Sequence, residues 1–177
     1  MQEHIQNELA SFIANCDWEK IAPHFKEDAA YRVLDWVGCA VAGEHYPQVE
    51  IAQKYFIENG DQGNSTVIGH QIKCSPRTAA FLNGIAGHVC ELDDGHRTAI
   101  GHPGSIAVPT ALALGEHLNA SGADVLKAVI LGYEVFSRLG RTVNPSHYRT
   151  WHTTGTCGTI AAAAAAASLL KLSAEET

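Results

Sequence analysis

The feature that most limits how this chain can fold is an uncharged stretch near its C-terminal end, TTGTCGTIAAAAAAASLL at residues 153–170. It contains seven consecutive alanines, and alanine has the highest helix propensity of all residues. The short alanine side chain also allows neighbouring helices to approach closely. A membrane-spanning helix would have a similar length, but Ala, Gly and Thr enter hydrocarbon only weakly. The stretch therefore predicts a tightly packed internal helix.

Most of the remaining chain has apolar residues at helical spacing, which predicts a mainly α fold. Ser75-Pro76 and Ser121 are typical helix starts, with serine as the capping residue. We expect Pro109 to bend or restart its helix, because proline lacks a backbone N–H. One short strand is predicted at residues 65–69. The predicted helices cover approximately residues 3–14, 25–42, 47–60, 76–92, 104–119, 122–141 and 153–170.

Charge and cysteine content exclude several classes of protein. The net charge of −7 argues against a general nucleic-acid or anionic-membrane binder, which would need an excess of Lys and Arg. The five cysteines are an odd number without C-x-x-C spacing, which indicates reduced thiols. The first sixteen residues are acidic and amphipathic rather than a basic flank with an apolar core, so they do not predict a signal peptide. We therefore expect a cytoplasmic protein.

Titratable side chains are concentrated in one stretch, CELDDGHRTAIGHPGS at residues 90–105. His102 lies just before a predicted helix start, and His152 lies just before the start of the alanine-rich helix. Backbone N–H groups at a helix start are unpaired and attract anions. We therefore expect the two imidazoles to converge on one pocket that binds a small multivalent anion.

Simpler interpretations of the same residues remain open. The acidic residues would also suit a solvated loop, each histidine a structural role, and the Gly/Thr-rich start of the last helix ordinary capping. Asp93, Asp94, His96 and His102 are residue types that bind Zn, Mn or Fe, but their spacing matches no defined ligand pattern, so no metal site is predicted. Cys157 at a helix start is interpreted as a packing residue rather than an activated thiol.

Three segments together resemble one family: FLNGIAGHVCELDDGHRTAIGHPGSIAVPTALALGE, GYEVFSRLGR and WHTTGTCGTIAAAAAAASLLKL. These segments identify the chain as similar to the MmgE/PrpD family, which includes 2-methylcitrate dehydratase, cis-aconitate decarboxylase and iminodisuccinate epimerase. The similarity extends to VLDWVGCAVAGE near the N-terminus. The resemblance implies a large helical domain, a smaller α+β lid domain and pairing as homodimers. Residues 1–177 are then expected to form a single all-helical domain, an incomplete N-terminal portion of the large domain, with the lid absent.

The resemblance also implies where the active site lies. In the family, an acid of a DFDDT pattern, the histidine of HPGS and the histidine of H-x-TG line a pocket between the two domains. Here these positions fall on Glu91 or the Asp93–Asp94 pair, on His102 and on His152. Gly95 stands where threonine is frequent, and the following loop is one residue longer than in the decarboxylase. The predicted catalytic residues are His102, His152, Asp93 and Asp94, and the predicted substrate-binding residues are Glu91, Arg97, Gly104, Ser105, Thr153, Thr154, Gly155 and Thr156.

The implied activity is that of a lyase resembling 2-methylcitrate dehydratase, which acts on small di- or tricarboxylates by acid/base catalysis without a cofactor. An epimerase or a decarboxylase of the same family is an alternative. The pocket lysines and a tyrosine of the family come from later segments, so this chain is expected to be inactive or incomplete on its own. A second alternative is a non-catalytic helical remnant that oligomerises. The expected partners are the carboxylate substrate and a second copy of the chain, with no nucleic acid and no membrane.

Overall fold

The computed structural model describes residues 2–177, with side chains from residue 5 onward. Within this range the chain forms seven α-helices, two short 3₁₀ helices and one two-stranded antiparallel sheet. The prediction of a mainly α fold is confirmed. The α-helices are α1 Gln2–Ala14, α2 Pro23–Gly43, α3 Pro47–Glu58, α4 Pro76–His88, α5 Gly104–Leu118, α6 Gly122–Val143 and α7 Thr153–Leu170; the strands are β1 Ser65–Thr66 and β2 Lys73–Cys74; the 3₁₀ helices are Trp18–Lys20 and His147–Arg149.

Both predicted serine caps are confirmed. Ser75 accepts a hydrogen bond from the backbone N–H of Thr78 at the start of α4, and Ser121 accepts one from Asp124 at the start of α6. The residues before α5 and α7, Pro103 and His152, make no side-chain capping bond. The starts of α5 and α7 therefore differ from ordinary capped helices, and both lie near the candidate site.

Small residues bring α7 close to its neighbours α5 and α6, and Ala161 and Ala165 on its inner face are fully buried. A Cβ atom added to Gly132 of α6 would lie 2.8 Å from Cβ of Ala107 on α5 and 3.4 Å from the carbonyl oxygen of Ala161. By length and composition α7 could also cross a membrane, but 56% of it is buried inside the protein. This packing fits the predicted internal helix.

Two local predictions need correction. Helix α5 runs without interruption through Pro109, so the proline does not restart it. Gly84 of α4 leaves room at this point, since a Cβ there would be 3.3 Å from the Ser105 carbonyl oxygen and 3.8 Å from Pro109 Cγ. The strand predicted at 65–69 is only Ser65–Thr66, because the chain turns back after it and pairs with Lys73–Cys74. Gly69 in that turn has a φ of +79°, which an extended strand does not adopt.

Candidate functional site

The candidate site is built on the segment between α4 and α5, residues 89–103, which we call the α4–α5 loop. The loop closes on itself: the N–H of His96 donates to the Gly101 carbonyl at 2.8 Å, and the N–H of Ala99 donates to Nδ1 of His96 at 3.0 Å. Asn144, just after α6, donates through its side chain to the Ala99 carbonyl and to Thr153 Oγ1 on α7. The loop is therefore fastened to the end of α6 and the start of α7.

Asp93 is the centre of a group of side chains that we call the Asp93 cluster, made of His88, Asp93, His102 and Ser105. The Asp93 side chain is fully buried. The Ser105 hydroxyl donates to Oδ2, and Nδ1 of His88 lies 3.1 Å from each carboxylate oxygen. Nδ1 of His102 lies 3.4 Å from Oδ2, and the two imidazole centroids are 4.8 Å apart. One buried carboxylate thus faces two imidazoles and a hydroxyl.

His102 joins the Asp93 cluster to the start of α7. Its backbone N–H donates to Thr154 Oγ1 at 3.0 Å, while its side chain is 24% exposed. Nδ1 of His102 is buried and lies 3.4 Å from Asp93 Oδ2 without forming a hydrogen bond to it, and no other group in the described part of the chain bonds this nitrogen. The imidazole is therefore held beside a carboxylate and still reaches solvent.

Asp94, the neighbour of Asp93, has different partners. Its Oδ1 accepts from the backbone N–H of Gly104 at 3.0 Å, and its Oδ2 accepts from Nη1 of Arg32 at 3.1 Å. Asp94 thereby caps α5 from a distance, and the Gly104 amide is occupied. Burial raises the pKa of Tyr133 well above its usual range, and the adjacent Asp94 carboxylate contributes in the same direction.

His152, just before the start of α7, has surroundings different from those of the Asp93 cluster. His152 is exposed, and its ring contacts the ring of Tyr148 at a centroid distance of 5.8 Å. Its carbonyl oxygen accepts from the N–H groups of Gly155 and Thr156. Among these contacts, the backbone N–H of His102 that donates to Thr154 Oγ1 is the link between the His102 region and the start of α7. A shared pocket of the two rings stays a prediction.

Some of the other predicted binding residues are exposed to solvent, and others are buried. Glu91 and Arg97 are exposed on the α4–α5 loop, with Glu91 Oε1 3.6 Å from His88 Nε2. Thr153 is buried and accepts from Asn144, whereas Thr156 is exposed and pairs with His147 at 2.7 Å. Their roles toward a substrate stay predictions.

Two cavities lie beside these residues. The first, of about 450 Å³, has mostly apolar walls from α4 and α5 and is bordered by His88, Ser105 and Thr154. The second, of about 540 Å³, is lined by charged and polar residues that include Asp94 and Arg97. Both volumes are in the range of small-molecule sites, and the second offers a guanidinium group to an anion.

The metal-ligand set weighed from the sequence separates in the structure. Asp94 is bound to Gly104 and Arg32, and His96 Nδ1 accepts from Ala99. Asp93 and His102 remain together, and His88 joins them. Burial raises the pKa of the Cys157 thiol, which favours the packing role predicted for this residue over an activated thiolate.

Sequence reasoning missed three residues of the site: His88, Arg32 and Tyr133. His88 has a local signal, because it is the last residue of α4 and lies five positions before Asp93 in GHVCELDD. Arg32 is 62 positions from Asp94 along the chain and Tyr133 is on α6, so only the packing of α2 and α6 brings them to the loop.

Comparisons with known proteins extend over the whole described chain. A family model described as the MmgE/PrpD N-terminal domain matches residues 7–177. The chain is 32% identical to the cis-aconitate decarboxylase-like protein oryM of Aspergillus oryzae, over 98% of this chain and 38% of that protein. It is 31% identical to a cis-aconitate decarboxylase of Aspergillus terreus, over 97% and 36%. It is 35% identical to the cis-aconitate decarboxylase of Homo sapiens, over 80% and 31%. The chain therefore spans between 31% and 38% of the length of these relatives.

Proposed function

Because this chain belongs to the MmgE/PrpD family, we propose that it carries the proton-transferring part of a lyase site for a small di- or tricarboxylate. The observation that carries the proposal is the pairing of a partly exposed imidazole, His102, with a fully buried carboxylate, Asp93. A buried carboxylate orients an adjacent imidazole and stabilises it when it takes up a proton. Such a pair is suited to general acid/base catalysis near neutral pH.

The proton chemistry is the same in outline for the reactions of this family. In a dehydration, a base takes the proton on carbon next to a carboxylate, and the hydroxyl leaves as water with a second proton. In a decarboxylation, a carbon–carbon bond breaks, CO₂ leaves, and the remaining electron pair on carbon takes a proton. His102 is proposed as the group that transfers the proton at carbon, and Asp93 as the group that holds its ring. His152 is proposed as the second proton-transferring group.

Binding of the substrate carboxylates is assigned to the residues around the loop. Arg97 is proposed to pair with one carboxylate, since its guanidinium borders the more polar cavity and forks well onto a carboxylate. Glu91, Asp94, Gly104, Ser105 and Thr153–Thr156 are proposed as the surrounding polar wall. Among the possible reactions, decarboxylation of cis-aconitate is the first to test, because the relatives named above are cis-aconitate decarboxylases or resemble one.

The test is an NMR assay of the purified chain with cis-aconitate, citrate, 2-methylcitrate and iminodisuccinate. We expect at least one of these acids to be bound or consumed, and this binding or reaction to be lost in His102→Asn but retained in His117→Gln. His117 is a suitable control because it is an exposed imidazole at the far end of α5, paired with Asn64. If the wild-type chain neither converts nor binds any of the four acids, the proposed function is wrong for this chain.

Two further expectations belong to the same proposal. A homodimer and a cytoplasmic location are both proposed from the family resemblance and from the sequence. Light scattering behind size-exclusion chromatography tests the dimer directly, since a mass near 18.9 kDa would be that of a single chain and would contradict it.

A further inference from the structure

We infer that the Asp93 cluster binds a divalent transition-metal ion, with His88, Asp93 and His102 as its protein ligands. Each of the three offers one ligand atom, and these atoms all lie within 4.8 Å of one another. Two imidazoles and one carboxylate are a donor set that Zn²⁺ and Fe²⁺ use in proteins, with further positions left open for water or a ligand.

The distances in the cluster are close to those that a tetrahedral metal needs. Zinc–nitrogen and zinc–oxygen bonds of about 2.0–2.1 Å put two ligand atoms roughly 3.3 Å apart at the tetrahedral angle. The same carboxylate oxygen, Asp93 Oδ2, lies 3.1 Å from His88 Nδ1 and 3.4 Å from His102 Nδ1. The ligand positions are thus nearly formed, and the main adjustment would be between the two rings.

Hydrogen bonding without a metal explains the contacts of His88 with Asp93, but it does not explain the position of His102 Nδ1. His88 Nδ1 is within bonding distance of both carboxylate oxygens, as in an ordinary His–Asp pair. Nδ1 of His102 is different, because it is buried and the described residues give it no hydrogen-bond partner. A buried polar atom without a partner is uncommon, and an ion is one of the explanations for it. A metal between the three residues would use the lone pair of this nitrogen.

The surroundings also support a metal. Ser105 is buried at the start of α5, and its hydroxyl donates to Asp93 Oδ2. Outer hydrogen bonds of this kind orient ligating carboxylates and raise metal affinity. His88 is fixed at the end of α4, and His102 is held by its backbone bond to Thr154. Three elements of the fold therefore hold the ligands, which lowers the ordering cost of binding.

The metal has a consequence for catalysis that rests on the proposed function. An imidazole that binds a metal through Nδ1 carries its remaining proton on Nε2. His102 could then no longer accept a proton from a substrate at Nε2. We therefore expect a bound metal to inhibit proton transfer by His102, although metal binding itself does not depend on any activity.

The experiment measures Zn²⁺ binding to the metal-free chain by competition with a chromophoric chelator, without substrate. We expect one zinc per chain with a dissociation constant in the micromolar range or below. His88→Asn and His102→Asn should each weaken binding at least about tenfold, and His117→Gln should leave it unchanged. Circular dichroism of each variant checks that the helices are intact.

A second measurement uses only the wild-type chain and so does not depend on the folding of a variant. Imidazole ¹⁵N NMR spectra are recorded with and without Zn²⁺. We expect the signals of His88 and His102 to shift and the signal of His117 to stay in place. Failure to bind zinc, or binding that leaves the rings of His88 and His102 unchanged, would overturn the inference. Zinc binding in a chain that neither converts nor binds any of the four acids would reject the proposed function alone.

Discussion

His102 and His152 stand in similar positions of the sequence, each just before the start of a helix, but their side chains have different surroundings. His102 lies against a fully buried carboxylate and a second imidazole. His152 is exposed, and the ring it contacts is that of Tyr148, which is itself 46% exposed. The first histidine is part of a buried polar network, whereas the second lies on the surface at the start of α7.

The difference shows what a helix start can and cannot provide. Free N–H groups and the helix dipole attract an anion to both starts. They do not orient an imidazole or select its tautomer. That requires an interacting group next to the second ring nitrogen. At the start of α5 the α4–α5 loop places the buried Asp93 carboxylate beside the His102 ring, with Oδ2 3.4 Å from Nδ1. Among the described residues of α7 no carboxylate is present, since Thr153–Leu170 contains no Asp or Glu.

The largest effect on stability is expected from Asp93→Ala. Without the carboxylate, the Ser105 hydroxyl and the His88 imidazole lose their buried acceptor, and His102 loses the negative charge beside its ring, which should lower the free energy of unfolding by about 3 kcal/mol. His152→Ala removes an exposed side chain and should change it by no more than about 0.5 kcal/mol. Urea denaturation of both variants checks this. Equal stability of the two variants would contradict the contrast between the two sites.

The second prediction concerns turnover and rests on the proposed function. His102→Ala should reduce the rate of substrate conversion by about 10²–10⁴-fold, the usual contribution of a general acid or base. His152→Ala is expected to have a smaller effect, because its ring lies outside the Asp93 cluster. Initial rates measured by NMR compare the two variants. An equal loss in both would mean that the exposed ring of His152 closes onto the substrate.

Local signals in the sequence predicted the helices and drew attention to the α4–α5 loop. Serine at positions 75 and 121 and proline at position 76 mark helix starts by their own hydrogen-bonding chemistry, and the structure has helices there. The alanine run predicted a closely packed α7 because small side chains act locally. The concentration of acids and histidines in residues 90–105 identified the loop that carries the Asp93 cluster.

The partners within the site could not be predicted in the same way. Asp93 and Asp94 are adjacent and chemically identical, yet one faces two imidazoles and the other binds Arg32 and the Gly104 amide. Which partners each aspartate has depends on how α2 and α5 pack around the loop. These contacts join residues far apart in the sequence, so a local sequence pattern does not predict them. The predicted restart of the helix at Pro109 is wrong, since α5 continues through the proline, and a bend at this residue stays a prediction.

The third prediction concerns two glycines whose replacement by alanine should change the stability of the protein in opposite directions. A Cβ on Gly104 would lie 2.6 Å from Asp94 Oδ1 and 2.7 Å from the Tyr133 hydroxyl, whereas a Cβ on Gly155 would meet nothing within 4 Å. Gly104→Ala should therefore destabilise the protein by about 1–3 kcal/mol through overpacking. Gly155→Ala should stabilise it by about 0.5–1 kcal/mol, because alanine favours the helical backbone. Thermal unfolding of the two variants gives both signs, and a gain from Gly104→Ala would disprove the close packing at the start of α5.

The smallest expected effect is a change in the alkaline pH dependence of stability. Burial, and then the charge of Asp94, raise the pKa of Tyr133 in the folded protein. An unfolded tyrosine ionises near pH ~10, so above that pH the unfolded state binds fewer protons than the folded state. Stability linked to Tyr133 is then fully present below pH ~10 and falls as the pH rises further.

Tyr133→Phe should therefore flatten the loss of unfolding free energy between about pH 9 and pH 11. Tyr148→Phe is the matched control, because its ring lies beside the exposed His152. Urea titrations across this range give the slope for each variant, and the slope is independent of any constant cost of removing the hydroxyl. If Tyr148→Phe flattened the curve as much as Tyr133→Phe, the buried network would not extend from Asp94 to α6. The start of α5 would then be no better shielded from solvent than the start of α7.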